Sequence, residues 1–220
     1  MARLARIVLP DVPHHVTQRG NRRMAIFSER ADYGLYRDLI AELLKAHGVV
    51  CSAYCLMPNH VHLLLTPTLP DAAASLSRAV GEAHRRFTAF VNARARTTGH
   101  LFQGRFGSVA MDEAHWLAAV RYLALNPVRA GLVDRPQDWP WCSVKAHLRG
   151  RGDGLVDVSS VLAVAPRFAD LIAAGADDPP PTEIANGRPL GDAAFMARAE
   201  ALLGRSLTPR RPGRKPAATQ

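Results

Sequence analysis

Two strand-like runs, Val49 to Met57 and His60 to Thr66, are separated by nothing but the pair Pro58-Asn59. So short a separation, made of turn-forming residues, folds the runs back on each other as a β-hairpin, and the rest of the chain has to be arranged around it. The hairpin is expected at the centre of a sheet. Ahead of it, Pro13 to Arg19 (PHHVTQR) alternates as a strand does and stops at Gly20-Asn21. Between the two, Ser28 is placed to cap a helix in which Tyr33, Leu35, Tyr36, Leu39, Ile40, Leu43 and Leu44 recur at helical spacing as far as Gly48.

Asp71 to about Arg96 predicts a second helix, apolar along Leu76, Val80, Phe87, Phe90 and Val91, with Arg78, Arg85 and Arg86 among its charges. Gly99 to Met111 (GHLFQGRFGSVAM) reads as an irregular strand, broken by glycines. Asp112 opens a third helix through Trp116, Leu117, Val120 and Leu123, expected to kink or stop at Asn126-Pro127 because proline disfavours helical geometry in the residue before it. Strand, helix, hairpin, helix, strand is the order of an α+β, ferredoxin-like sandwich: an antiparallel sheet with helices on one face, the third helix being an addition. That domain is assigned to residues 1–147. Residues 148–220 form a C-terminal appendage, comprising a linker (ADDPPPTEIANGRP), a short helix from Gly191 to Leu203, and a tail. The tail carries Arg205, Arg210, Arg211, Arg214 and Lys215 among prolines and is either a basic arm or a solvated end.

Lys and Arg number 28 against 19 Asp and Glu, a formal net charge of +9. Such an excess favours a polyanionic partner, nucleic acid before acidic lipid. Three cysteines, Cys51, Cys55 and Cys142, are too few and too odd in number for a disulfide framework and suit a reducing cytoplasm. The opening MARLARIVLPDV lacks a signal peptide's apolar core, and no run approaches the roughly 20 apolar residues of a membrane span. A soluble cytoplasmic protein without a membrane partner is expected.

Side chains two apart on a strand share a face, so His60 and His62 present two imidazoles together. The pair can hold a transition metal such as Zn²⁺ or Mn²⁺, or be two ordinary sheet histidines. Tyr122 and Asn126, four apart on the third helix, share a face if the helix persists, as does His115 two turns earlier. The small neighbours Ala118 and Ala119 leave room beside the phenol for a ligand. Tyr122 also reads as a core tyrosine, and Asn126 before Pro127 as the cap of a new helix.

Five motifs occur in order: HVTQRGNRR (His15 to Arg23), MPNHVHLLL (Met57 to Leu65), GHLFQGRFGS (Gly99 to Ser108), YLALNPVRAGLV (Tyr122 to Val133) and DWPWCS (Asp138 to Ser143). Together they resemble the single-tyrosine HUH transposases of the IS200/IS605 type, and most of all the REP-associated tyrosine transposases. The resemblance implies metal-dependent cleavage and strand transfer of single-stranded DNA through a 5′-phosphotyrosine. It makes Tyr122 the nucleophile, with Mg²⁺ or Mn²⁺ on His60 and His62 and with Asn126 completing the site. Hairpin-forming repeats are the implied DNA partner, handled by a monomer or a homodimer. Arg19, Arg22, Arg23, Arg85, Arg86 and Arg105 are candidates for phosphate contacts, and His115 is a candidate general base by helical phase alone. The chain departs from the pattern at Asn126, where Gln is common, at Cys142, where serine is expected, and at His14, where tyrosine is usual.

Three other readings compete. A catalytically inactive nucleic-acid-binding module would keep the basic surface without the chemistry. A water-activating metal phosphoesterase would need a second His-x-His strand, and the chain has only the one at His60 and His62. A zinc site of Cys51, Cys55 and His60 lacks an evident fourth ligand.

Overall fold

The hairpin forms as β2 (Val49–Met57) and β3 (His60–Pro67), paired antiparallel across Pro58-Asn59. In the computed structural model, which describes residues 6–174 and 187–207, these strands join β1 (His14–Arg19) and β4 (Gly107–Ala110) in the order β2-β3-β1-β4, antiparallel throughout. With α1 (Arg30–Ala46) and α2 (Ala72–Ala95) the element order is the ferredoxin-like one. The central position expected of the whole hairpin falls to β3 alone. β2 flanks it, and its outer side is closed by residues 141–143: Leu56 N–H donates to the Trp141 carbonyl (2.9 Å) and Ser143 N–H to that of Tyr54 (3.0 Å).

The two-residue period of the strands sorts the apolar side chains into two cores. Val16, Val61, Leu63 and Leu65 face α1 and α2, packing with Tyr36, Ile40, Leu76, Val80 and Phe87. Leu64, Cys55, Met57 and Val109 face the other way, against Trp116, Val120 and Leu123 of α3 (Glu113–Arg129). A β-bulge between Cys51 and Ala53 changes the phase of β2, so Cys51 packs with the first core and Cys55 with the second. That phase change places the two thiols on opposite faces and removes the Cys51, Cys55, His60 zinc reading. The bulge residue Ser52 also anchors α3, its hydroxyl accepting from the Trp116 indole N–H at 3.0 Å.

Three local expectations are corrected. Ser28 does not cap α1; Glu29 is the N-cap, in a reciprocal box with Asp32, whose carboxylate also accepts from Ser28 N–H. Of Gly99 to Met111 only Gly107–Ala110 is strand, because Gly99 and Gly104 turn the backbone into positive φ (110° and 54°). The third helix neither stops nor restarts at Asn126-Pro127 but runs on to Arg129. Pro127 leaves the Leu123 carbonyl without its i+4 donor, and the Cys142 thiol supplies one at 3.7 Å.

From Val144 onward, α4 (Val144–Arg149), which spans His147, α5 (Ser159–Val164) and α6 (Phe168–Ala173) lie against the same cores. Val156 and Val158 join the first, Val161 and Phe168 the second. The helix expected at Gly191 to Leu203 is α7 (Ala193–Leu203). Most of the linker and Arg210, Arg211, Arg214 and Lys215 lie outside the described residues. Among those described, no helix is long and apolar enough to cross a membrane.

Burial draws His14 down to about 4 and His84 to about 3, the latter with its Nε2 2.9 Å from the Tyr36 hydroxyl. Both are therefore neutral in the fold, whereas an unfolded histidine titrates near 6.5. Their contribution is complete above about pH 6.5 and is lost on acidification, because only the unfolded chain takes up the protons. Urea unfolding at about pH 7.5 and about pH 5.5 should show stability falling by up to about 1.4 kcal/mol per pH unit for each such histidine, less steeply in His84→Gln.

Candidate active site

The register between β1 and β3 builds the floor of the site. Thr17 opposes His62, Arg19 opposes His60 and His15 opposes Leu64, so all six side chains share the face that α3 covers. Held there by Trp116, Val120 and Leu123, α3 brings the Tyr122 ring edge-on to His62, centroids 5.5 Å apart. The rings of His60 and His62 are 4.8 Å apart. Asn126 follows Tyr122 by one helical turn and is buried. Tyr33, Tyr36 and Tyr54 are buried, whereas Tyr122 keeps part of its surface open.

Burial, helped by Arg19, draws His60 down to about 4. Burial, then His15, His60 and Arg19, pulls His62 well below its ordinary value. Both imidazoles are thus neutral near pH 7, the form that ligates metal. Each uses Nδ1 within the protein: that of His60 lies 2.6 Å from Asn59 Oδ1, and that of His62 lies 2.9 Å from His15 Nε2. His62 Nε2 is buried and has no hydrogen-bond partner among the described residues, and Asn126 Nδ2 is in the same position. A carboxamide rotated by 180° exchanges its nitrogen for its oxygen, so the unpartnered position at Asn126 can present an oxygen.

Two imidazole nitrogens and a carboxamide oxygen suit a divalent cation that fills its other positions with phosphate oxygen or water. The imidazoles favour Mn²⁺ and the oxygens tolerate Mg²⁺. Among the described residues no three His, Cys, Asp or Glu side chains cluster as metal ligands.

Burial raises the Tyr122 phenol above its ordinary value, and Arg129 and Arg19 pull it back. The Arg129 guanidinium carbon stands 5.9 Å from the ring centre. Arg19 is exposed beside His60, and Arg22 and Arg23 follow on a 3₁₀ turn (Asn21–Arg23) at the same end of the sheet. Both have left-handed backbone, φ 51° and 62°. That conformation costs about 1–2 kcal/mol per non-glycine residue. Arg85 and Arg86 lie on α2, across the sheet from Tyr122, each bonded to Glu82; Arg105 is exposed on the loop before β4.

His115 is not at the site. Its Nδ1 lies 2.7 Å from Asp112 Oδ1 at the helix N-terminus, two turns or about 10 Å of rise from Tyr122, which removes it as general base. The sequence reading missed His15 and Arg129. Strand alternation already put His15 on the face of Thr17 and Arg19, but the cross-strand register that sets it beside His62 is not readable from one strand.

The model of the family described as transposase IS200 like matches residues 10–126, more than half of the chain and all of the elements from β1 to Asn126. The chain belongs to the IS200-like transposases. The REP-associated tyrosine transposase of Escherichia coli (strain K12) is 26% identical over 122 residues, 55% of this chain and 68% of the relative. A solved structure of a REP-associated tyrosine transposase bound to a REP hairpin shares the fold, with a TM-score of 0.59 and 23% identity over 72% of this chain and 93% of the other.

In this transposase the turn after Arg19 depends on Gly20, whose N–H donates to the Asn59 carbonyl at 2.8 Å. A Cβ there would sit 2.2 Å from the Met24 carbonyl oxygen and 2.8 Å from Ile26. Gly20→Ala should therefore lower stability by about 1–3 kcal/mol, the usual cost of overpacking. Urea midpoints measure it.

Proposed function

We propose that this transposase cuts and rejoins single-stranded DNA through a covalent link to Tyr122, with a divalent cation, Mg²⁺ or Mn²⁺, held by His60, His62 and Asn126. One observation carries the reading: the partly exposed phenol stands edge-on to a buried imidazole whose Nε2 has no hydrogen-bond partner among the described residues. Nothing about folding calls for that combination, and an unsatisfied buried nitrogen costs about 1–3 kcal/mol.

When bound, the cation supplies Lewis acidity to an oxygen of the scissile phosphate. The protein supplies the rest. Tyr122 Oη loses its proton and forms a bond to phosphorus, while the bond from phosphorus to the 3′ oxygen breaks. That oxygen takes up a proton and leaves as a 3′-hydroxyl, and the DNA keeps its 5′ phosphate on the tyrosine. Arg129 and Arg19 favour the phenolate that burial opposes. Because the phosphotyrosine is a diester, like the bond it replaces, a 3′-hydroxyl from another strand can reverse the step without ATP.

The substrate is single-stranded because the phosphate has to reach a face already covered by α3, which a stiff duplex resists. The hairpin held by the structural relative suggests the partner, single strand flanking a hairpin repeat. Arg19, Arg22 and Arg23 would steer the strand at the site. Arg85, Arg86 and Arg105 would meet phosphates on the other face, where Arg85 and Gly104 line one cavity.

A labelled oligonucleotide carrying a hairpin and its flank tests the reading. Wild type with Mg²⁺ or Mn²⁺ should give a denaturation-resistant protein–DNA band, while EDTA, Tyr122→Phe and His60→Ala should each abolish it with hairpin binding retained. A band persisting in Tyr122→Phe would reject the nucleophile. Tight binding by wild type with no band under any metal would instead favour the inactive binding module.

A further inference from the structure

One side chain at the site has no part in that reaction. His15 is fully buried on β1, its ring 5.1 Å from that of His62 and 6.4 Å from that of Tyr122. Its Nε2 lies 2.9 Å from His62 Nδ1, and its own Nδ1 has no partner among the described residues.

Two neutral imidazoles sharing one hydrogen bond can hold their protons in two ways. In the first, His15 Nε2–H donates to His62 Nδ1, which puts the His62 proton on Nε2 and blocks that nitrogen as a ligand. In the second, His62 Nδ1–H donates to His15 Nε2, and His62 Nε2 keeps a bare lone pair. The neighbouring histidine shows which arrangement the site is built around. Asn59 Nδ2 donates to the Arg23 carbonyl at 3.1 Å, which fixes its carboxamide the right way round, so Oδ1 can only accept from His60 Nδ1–H. His60 is thereby held with Nε2 bare.

We infer that His15 is the corresponding positioning residue for His62: it accepts from His62 Nδ1–H and holds that ring in the tautomer and orientation that leave Nε2 open to a divalent cation. This rests on the proposed role of His62 as a ligand. A carboxylate in this place would add charge to a buried pocket, whereas an imidazole fixes the tautomer and stays neutral.

Mn²⁺ binding to the full chain without DNA, followed by the electron paramagnetic resonance of the free ion, tests the inference in wild type, His15→Phe, His15→Gln and His60→Ala. His15→Phe should weaken binding about 10- to 100-fold, as loss of a ligand's supporting hydrogen bond does. His15→Gln, whose amide oxygen can accept the same hydrogen bond, should recover most of that loss. Binding by His15→Phe within about twofold of wild type would overturn the inference while leaving the ligand role of His62 intact. Wild type binding no more tightly than His60→Ala would overturn both. Long-range ¹H–¹⁵N spectra of wild type with Mg²⁺ decide the matter should His15→Phe not fold. His62 is expected with its proton on Nδ1, and a proton on His62 Nε2 would overturn the inference.

Discussion

The pairing of β1 with β3 in the register Thr17 to His62 is the constraint on which the site depends. Side chains alternate across a sheet, so a slip of one residue would send His15 and Arg19 to the opposite face, away from the histidines of β3. The apolar residues hold the register. Val16, Val61, Leu63 and Leu65 have to face α1 and α2, which leaves His15, Arg19, His60 and His62 on the side where α3 lies. The candidate site therefore occupies positions fixed by the burial of its neighbours.

The second requirement is that α3 reach the site as one uninterrupted helix. Its start is capped by Asp112, its first turn is tied to the β2 bulge through Trp116 and Ser52, and its last turn runs through Pro127 with the Cys142 thiol serving the stranded Leu123 carbonyl. Tyr122 and Asn126 can then lie one turn apart along a single axis. A helix broken at Asn126 would have freed that side chain to cap a new helix, taking the carboxamide out of the site.

Much of this was legible in the sequence because it is local. The hairpin, the helices α1 and α2, the shared face of His60 and His62 and the helical spacing of Tyr122 and Asn126 follow from periods of two and 3.6 residues. The misses were long-range. Nothing near Pro127 says that a thiol 15 positions on will stabilise the helix through it, and nothing near Cys51 says that a bulge will part it from Cys55. His115 shared the helical phase of Tyr122, but phase ignores distance along the axis, and Asp112 was the nearer partner. Past His147 the 11-residue α7 was legible, whereas α5 and α6, six residues each, are too short for periodicity to show and are held by contacts with cores formed earlier in the chain.

The central claim is that a phosphate reaches Tyr122 and becomes bonded to it. Trypsin cuts after Arg121 and Arg129, so Tyr122 falls in a peptide with no other tyrosine. Mass spectrometry of that digest after reaction with a hairpin oligonucleotide should find the 5′-phosphonucleotide on the Tyr122–Arg129 peptide. DNA attached to a peptide carrying Tyr33, Tyr36 or Tyr54, or to no tyrosine at all, would contradict the account.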